Sequence, residues 1–124
     1  MHLQESGEMY LETIYTLMRE RASVRSIDVC EHMGFSKPSV SRAIGLLKSG
    51  GFVQVDAKGY LTLTAQGEEV AKRTFDRHRL LKEVFVRLGV DEAIADADAC
   101  KIEHHISDQT MEALKKHLDE LDKK

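Results

Sequence analysis

Tryptophan is absent from these 124 residues and all aromatic side chains together make up 6%, so aliphatic groups must build the core. The two cysteines, Cys30 and Cys100, lie far apart with no framework spacing, which points to reduced thiols in a cytoplasm rather than disulfides. No apolar run approaches the ~20 residues of a membrane span, so no membrane partner is expected. The N-terminal stretch MHLQESGEMYLETIY has neither the basic start nor the apolar run of a secretory signal, and a cytoplasmic location is the expectation. No glycine-rich phosphate loop is present, and no nucleophile is accompanied by an orienting group and oxyanion donors, so no enzyme is expected.

A basic surplus is missing too. The net charge is −3, which argues against a chain that holds nucleic acid over its whole surface. The charge is unevenly spread, however. From Gly34 to Thr62, Lys37, Arg42, Lys48 and Lys58 stand against Asp56 alone, a balance of +3, and the remainder therefore carries −6. DNA responds to the local face, not to the total.

What is present is helical periodicity. Glu8 to Arg21 places Met9, Leu11, Ile14, Tyr15, Leu17 and Met18 at helical spacing. Ser26 is expected to cap a short helix through Met33, with Asp28 in its first turn, and Gly34 to end it. Ser36 caps the next helix, in which the single proline, Pro38, is tolerated near the start. That helix runs through Val40, Ile44 and Leu47 to the Gly50-Gly51 break. Two alternating runs, Phe52–Val55 and Tyr60–Leu63, are joined by DAKG as a hairpin. Thr64 caps a long helix to about Leu88, ended by Gly89. Asp91 begins another that should include ACKIEHHISD, and Ser107 caps a last one through Leu121. The pattern predicts a mostly α fold. An N-terminal winged helix-turn-helix over 1–63 is followed by a helical domain over 64–124.

The third helix carries DNA-reading chemistry. SKPSVSRA exposes hydroxyls at Ser36, Ser39 and Ser41 and charge at Lys37 and Arg42 near a helix start, where such a helix enters the major groove. Arg42 is the candidate for a base contact, since a guanidinium can bind guanine bidentately. Lys37, Ser39, Ser41 and, at the hairpin tip, Lys58 are assigned to positioning on phosphates, and Ser36 and Pro38 complete the DNA-binding set at the helix start. The plain alternative is an ordinary solvated helix. One domain this small discriminates a site poorly, so a homodimer on a palindromic double-stranded operator is expected. Its interface should draw on Leu81, Val84, Phe85, Leu88, Ile94 and Ile102.

In ACKIEHHISD, Cys100, Glu103 and His104 share the i, i+3, i+4 spacing of one helix face, and His105 turns ~100° away. The residues alone leave two readings, a solvated face or part of a metal site completed from other helices. His78 in RHRLLKE, and Met9 with Glu12 in the first helix, are the further donors.

EMYLETIY, SKPSVSRA, RHRLL and ACKIEHH, in that order, resemble the iron-dependent repressor family that includes the diphtheria toxin repressor and manganese transport regulators. The resemblance covers about Ser6 to Leu121 and is to the short form, which lacks the C-terminal β-barrel domain. It implies a repressor of metal-uptake genes. Met9, Cys100, Glu103 and His104 would form the activating metal site, with Glu12 and His78 as further ligands. Two departures stand out. Lys82 replaces a carboxylate four residues after His78, and Asp96 replaces a second histidine. Thioether and thiolate donors match manganese poorly and suit ferrous iron, cobalt, nickel or zinc better; ferrous iron is the favoured cofactor, manganese is possible, and zinc, cobalt or nickel could substitute in vitro. A winged-helix regulator not controlled by metal, and a structural zinc protein, are the competing readings.

Overall fold

In the computed structural model, which describes residues 5–123, six helices and one two-stranded hairpin account for most of the chain. Packing separates two units, the first ending at Arg73 and the second beginning at Thr74.

The first unit starts with α1 (Glu5–Glu20), whose Tyr10, Leu11, Ile14 and Leu17 are buried at helical spacing. α2 (Ser26–Met33) follows. Its cap is Arg25 rather than Ser26, because Asp28 turns back to accept the Arg25 backbone N–H at 2.8 Å and the Arg21 guanidinium at 2.8 Å. Gly34, at φ +72°, ends α2 in the left-handed conformation and returns its N–H to Cys30. α3 (Lys37–Ser49) is capped by Ser36 and buries Val40, Ile44 and Leu47. These three helices pack on one another, and Cys30, as its apolar position implies, lies in their common core.

β1 (Val53–Val55) and β2 (Leu61–Leu63) pair antiparallel, Val53 opposite Leu63. The tip between them is fixed by Asp56, whose carboxylate accepts the N–H groups of Lys58 and Tyr60, both at 2.9 Å. Gly59 completes the turn at φ +87°. Arg25 bridges to Tyr60, and Leu61 donates to the Val24 carbonyl at 2.7 Å, so the loop before α2 lies along the hairpin. α4 (Ala65–Arg87) begins at Thr64, whose hydroxyl donates to the Gly51 carbonyl at 2.6 Å and accepts from Gly67 N–H.

The boundary between the units falls inside α4. The second unit continues with α5 (Glu92–Ile102) and α6 (Asp108–Asp122). Its core holds Leu81, Ala99 and Met111, with Leu80, Phe85, Ile106 and Leu114 packed against them. Leu81 is 2% exposed; it is core and drops out of the expected interface set. Leu88, Ile94 and Ile102 remain on the surface. The helix expected across ACKIEHHISD stops at Ile102, and residues 103–105 form turns before Ser107 caps α6.

Gly67 is the tightest packing point. A Cβ there would sit 2.0 Å from the Phe52 carbonyl oxygen and 2.9 Å from its carbon, and backbone cannot move aside as a flexible side chain does. By propensity alone, Gly67→Ala would stabilise a helix by ~1 kcal/mol. Here the sign should reverse, with a loss of roughly 2 kcal/mol from overpacking and a melting temperature lowered by several degrees. A variant melting at or above the parent in calorimetry would show that this contact does not constrain the start of α4.

Candidate DNA-reading helix and metal centre

On α3, the inward face is fully spent on the core, which leaves Lys37, Pro38, Ser39, Ser41 and Arg42 exposed. The Ser36 hydroxyl accepts the Ser39 N–H at 3.3 Å and donates to the Ser39 hydroxyl at 2.9 Å, so these two serines first build the cap. Pro38 stands in the first turn, where its missing N–H costs no hydrogen bond. Neither Lys37 nor Arg42 forms an ion pair among the described residues. Their charges therefore face solvent. Lys58 is exposed at the Asp56-organised tip.

Leu46 escaped the sequence reading. In the pair Leu46-Leu47 only the second is core; Leu46 is 68% exposed, one turn beyond Arg42 on the outward face. Phe35, in the turn before α3, is half-exposed and tilts onto Tyr10 with ring centroids 6.1 Å apart.

In the second unit the polar chemistry gathers around Glu103. Glu103 is the C-terminal cap residue of α5, its backbone N–H donating to the Ala99 carbonyl, and its side chain is 0% exposed. One oxygen, Oε2, is 2.8 Å from His78 Nδ1. The other, Oε1, is 3.3 Å from His104 Nε2, without the alignment of a hydrogen bond; it makes none among the described residues. The His104 side chain is itself 1% exposed. Cys100 precedes Glu103 by one turn and is half-buried. His105 is exposed, as expected of a residue turned away from this group. His78, on α4, has its second nitrogen 2.8 Å from Asp96 Oδ1. That contact is the main cause holding the Asp96 carboxyl below the ordinary carboxylate range.

A buried carboxylate oxygen lacking a donor carries a desolvation penalty unless a cation meets it. The groups present fit one. Glu103 offers that oxygen, His104 and His78 offer imidazoles, and Cys100 lies one turn away with a thiol. Met9 and Glu12 are both half-buried, one turn apart on α1 in the first unit.

Arg77 is a residue whose role the sequence concealed. Its guanidinium, largely buried, donates to the Glu103 carbonyl at 3.1 Å and the Ile106 carbonyl at 2.8 Å, and it pairs with Asp108. One side chain on α4 therefore holds the turn that carries Glu103 and His104. The string RHRLL has two arginines and a histidine, and nothing in it says which arginine points inward.

Comparisons with known proteins divide along the same lines. A family model described as "Iron dependent repressor, N-terminal DNA binding domain" matches residues 2–61. A second, "Iron dependent repressor, metal binding and dimerisation domain", matches residues 64–124. The transcriptional regulator MntR of Escherichia coli O6:H1 is 32% identical over 114 residues, covering 92% of this chain and 74% of its own. An HTH-type transcriptional regulator of Methanocaldococcus jannaschii is 33% identical over 115 residues, covering 91% and 92%. A solved manganese-dependent transcriptional repressor in complex with manganese superposes with a TM-score of 0.83 at 30% identity, covering 91% of this chain and 53% of that one. The chain thus spans about half the length of that solved protein.

Removing Arg77 tests the hold on the turn. Arg77→Ala leaves two carbonyls without their charged donor, a loss of roughly 2–3 kcal/mol. Amide hydrogen exchange at His105 and Ile106 should quicken at least tenfold while α3 amides stay as they are. Unchanged exchange in the turn would mean that α5 and α6 position it without Arg77.

Proposed function

Because this chain belongs to the iron dependent repressor family and is thereby a metal-dependent transcriptional regulator, we propose that a divalent metal acts as its corepressor, ferrous iron ahead of manganese. The observation that supports this most is the buried Glu103 carboxylate, with one oxygen lacking a hydrogen bond and His104 beside it. The ligand set we assign is Met9, Cys100, Glu103 and His104, with Glu12 and His78 as further ligands. The metal, when bound, supplies positive charge and a cross-link between side chains distant in sequence.

The chain's own residues do the rest. Met9 and Glu12 sit on α1, the helix against which α2, α3 and β2 pack. Fixing α1 therefore fixes the reading helix. Cys100, Glu103 and His104 belong to the unit matched by the dimerisation model, whose surface exposes Leu88, Ile94 and Ile102 to a second copy. In the homodimer, the two α3 helices are held about one DNA turn apart, ~34 Å, on a palindromic operator. Arg42 then reads a base edge, Lys37, Ser39, Ser41 and Lys58 position the protein on phosphates, and Ser36 and Pro38 shape the start of the helix at that surface. The regulated genes concern metal uptake, and the setting is the cytoplasm.

The donors argue for iron and one relative for manganese. The solved relative named above is a manganese-dependent repressor by its description, whereas Met9 and Cys100 are soft ligands that suit ferrous iron better. Changing Met9→Asp together with Cys100→Glu should move activation toward manganese relative to iron. An unaltered ranking of metals in DNA binding would sink the softness argument.

The coupling itself is measurable by DNA-binding anisotropy at fixed ionic strength. Coupling of ~1–3 kcal/mol per site corresponds to roughly 5- to 150-fold, so saturating ferrous iron should tighten operator binding at least tenfold and a chelator should reverse it. His104→Ala should lose that response yet keep weak, salt-dependent binding, because the Lys37, Arg42 and Lys58 charges remain. Arg42→Ala should keep metal affinity and lose sequence preference. Equal operator affinity with and without every divalent metal tried would leave a winged-helix regulator not controlled by metal.

A further inference from the structure

α3 contains a glycine that nothing inside the protein asks for. Gly45 lies in the interior of that helix, where glycine gives up more backbone freedom than any other residue and only proline is less favourable. Its φ is not positive, so the backbone does not require it. Neither does packing, because a Cβ at Gly45 would meet nothing within 4 Å among the described residues. Gly67 is the contrast, since a Cβ there would strike the Phe52 carbonyl. Gly45 and Leu46 follow Arg42 by three and four residues, which puts all three on one face. All three are exposed. Leu46 is 68% exposed, more than any other large apolar side chain described in the first unit. A destabilising glycine and an uncovered leucine therefore stand side by side, one turn beyond the Arg42 guanidinium.

We propose that Gly45 is the point where α3 approaches double-stranded DNA most closely, and that Leu46 reads the C5-methyl group of a thymine near the base contacted by Arg42. The inference rests on α3 being the reading helix and adds a second specificity contact of different chemistry. Base edges in the major groove are polar except for the thymine methyl, which apolar side chains contact. Leu46 leaves water only when the helix seats against such a group, so its burial rewards the right sequence and not DNA in general. To bring a leucine that close, the helix must lie deep in the groove. A side chain at position 45 would hold it off, and glycine serves where backbone must come close to a ligand. Four helical residues advance ~6 Å and base pairs repeat every ~3.4 Å, so the thymine should lie roughly one or two base pairs from the Arg42 contact.

The experiment uses the full chain, with saturating ferrous iron or manganese, and the duplex that the wild type selects from a random-sequence library. Each thymine of that duplex is replaced in turn by deoxyuridine, in both half-sites together, which removes the methyl and leaves base pairing intact. Burial of one methyl is worth roughly fourfold in affinity, so two half-sites should make the loss roughly 10- to 20-fold at the thymine that Leu46 reads. Leu46→Ala should bind the thymine duplex about as weakly as the wild type binds that uracil duplex, and the replacement should then cost it less than about twofold more. Gly45→Ala should melt roughly 2–5 °C above the wild type. It should nonetheless bind the selected duplex roughly tenfold or more weakly, while its nonspecific, salt-dependent binding stays as it was. A wild type indifferent to every uracil, a Leu46→Ala variant still as sensitive to uracil as the wild type, or a Gly45→Ala variant that binds as tightly would each overturn the proposal. If Arg42→Ala selects the same sequence with the same affinity, α3 is not the reading helix, and this inference falls with that reading.

Discussion

The second unit is organised by the burial of one charge. Glu103 has been taken out of water at the end of α5, and a carboxylate in that position costs several kcal/mol unless its surroundings answer it. The answer is partial. His78 meets one oxygen and Arg77 meets the residue's own carbonyl, while the second oxygen makes no hydrogen bond among the described residues. A protein kept only for its stability would replace such a group with an apolar one of similar volume, often without loss. Retaining it makes sense where a cation completes it. The desolvation cost of the carboxylate is then offset by the cation it binds.

The first unit obeys a different constraint, close approach of backbone. Phe52 is fully buried, and its carbonyl both accepts the Thr64 N–H and faces Gly67. The start of α4 is thereby sewn to the strand that follows α3. Hydrogen bonds from Asp56 stiffen the hairpin tip, and Arg25 lies over the Tyr60 ring at 4.5 Å. The reading helix and the hairpin consequently present their exposed residues from one rigid body.

Much of this was legible because it is local. Gly34, Ser36, Gly89 and Ser107 mark helix ends by conformational preference, and the alternation around DAKG marks the hairpin. One helix start was misassigned and one helix end overrun for equally physical reasons. Ser26 yielded the cap to Arg25 because Asp28 reached back to a backbone N–H, and α5 stopped at Ile102 because Arg77 and the Ser107 cap draw the chain into a turn. Contacts between residues distant in sequence left no local trace. Nothing in the string distinguishes Leu46 from Leu47, marks Leu81 as core rather than interface, or shows that Gly67 faces a carbonyl. For the candidate metal site, spacing placed Cys100, Glu103 and His104 near one another, but the engagement of His78 by two carboxylates is tertiary.

Arg77 grips main-chain oxygens, at Glu103 and Ile106, and one acidic side chain at the start of α6. A grip on carbonyls is indifferent to which side chains those residues carry. Substitution at 104 or 105 therefore changes the chemistry displayed by the turn while leaving Arg77's grip on its carbonyls in place. Frame and payload are separable. A scaffold built this way can trade one donor for another in single steps, each still folded, and drift from one metal toward the next without passing through a collapsed intermediate.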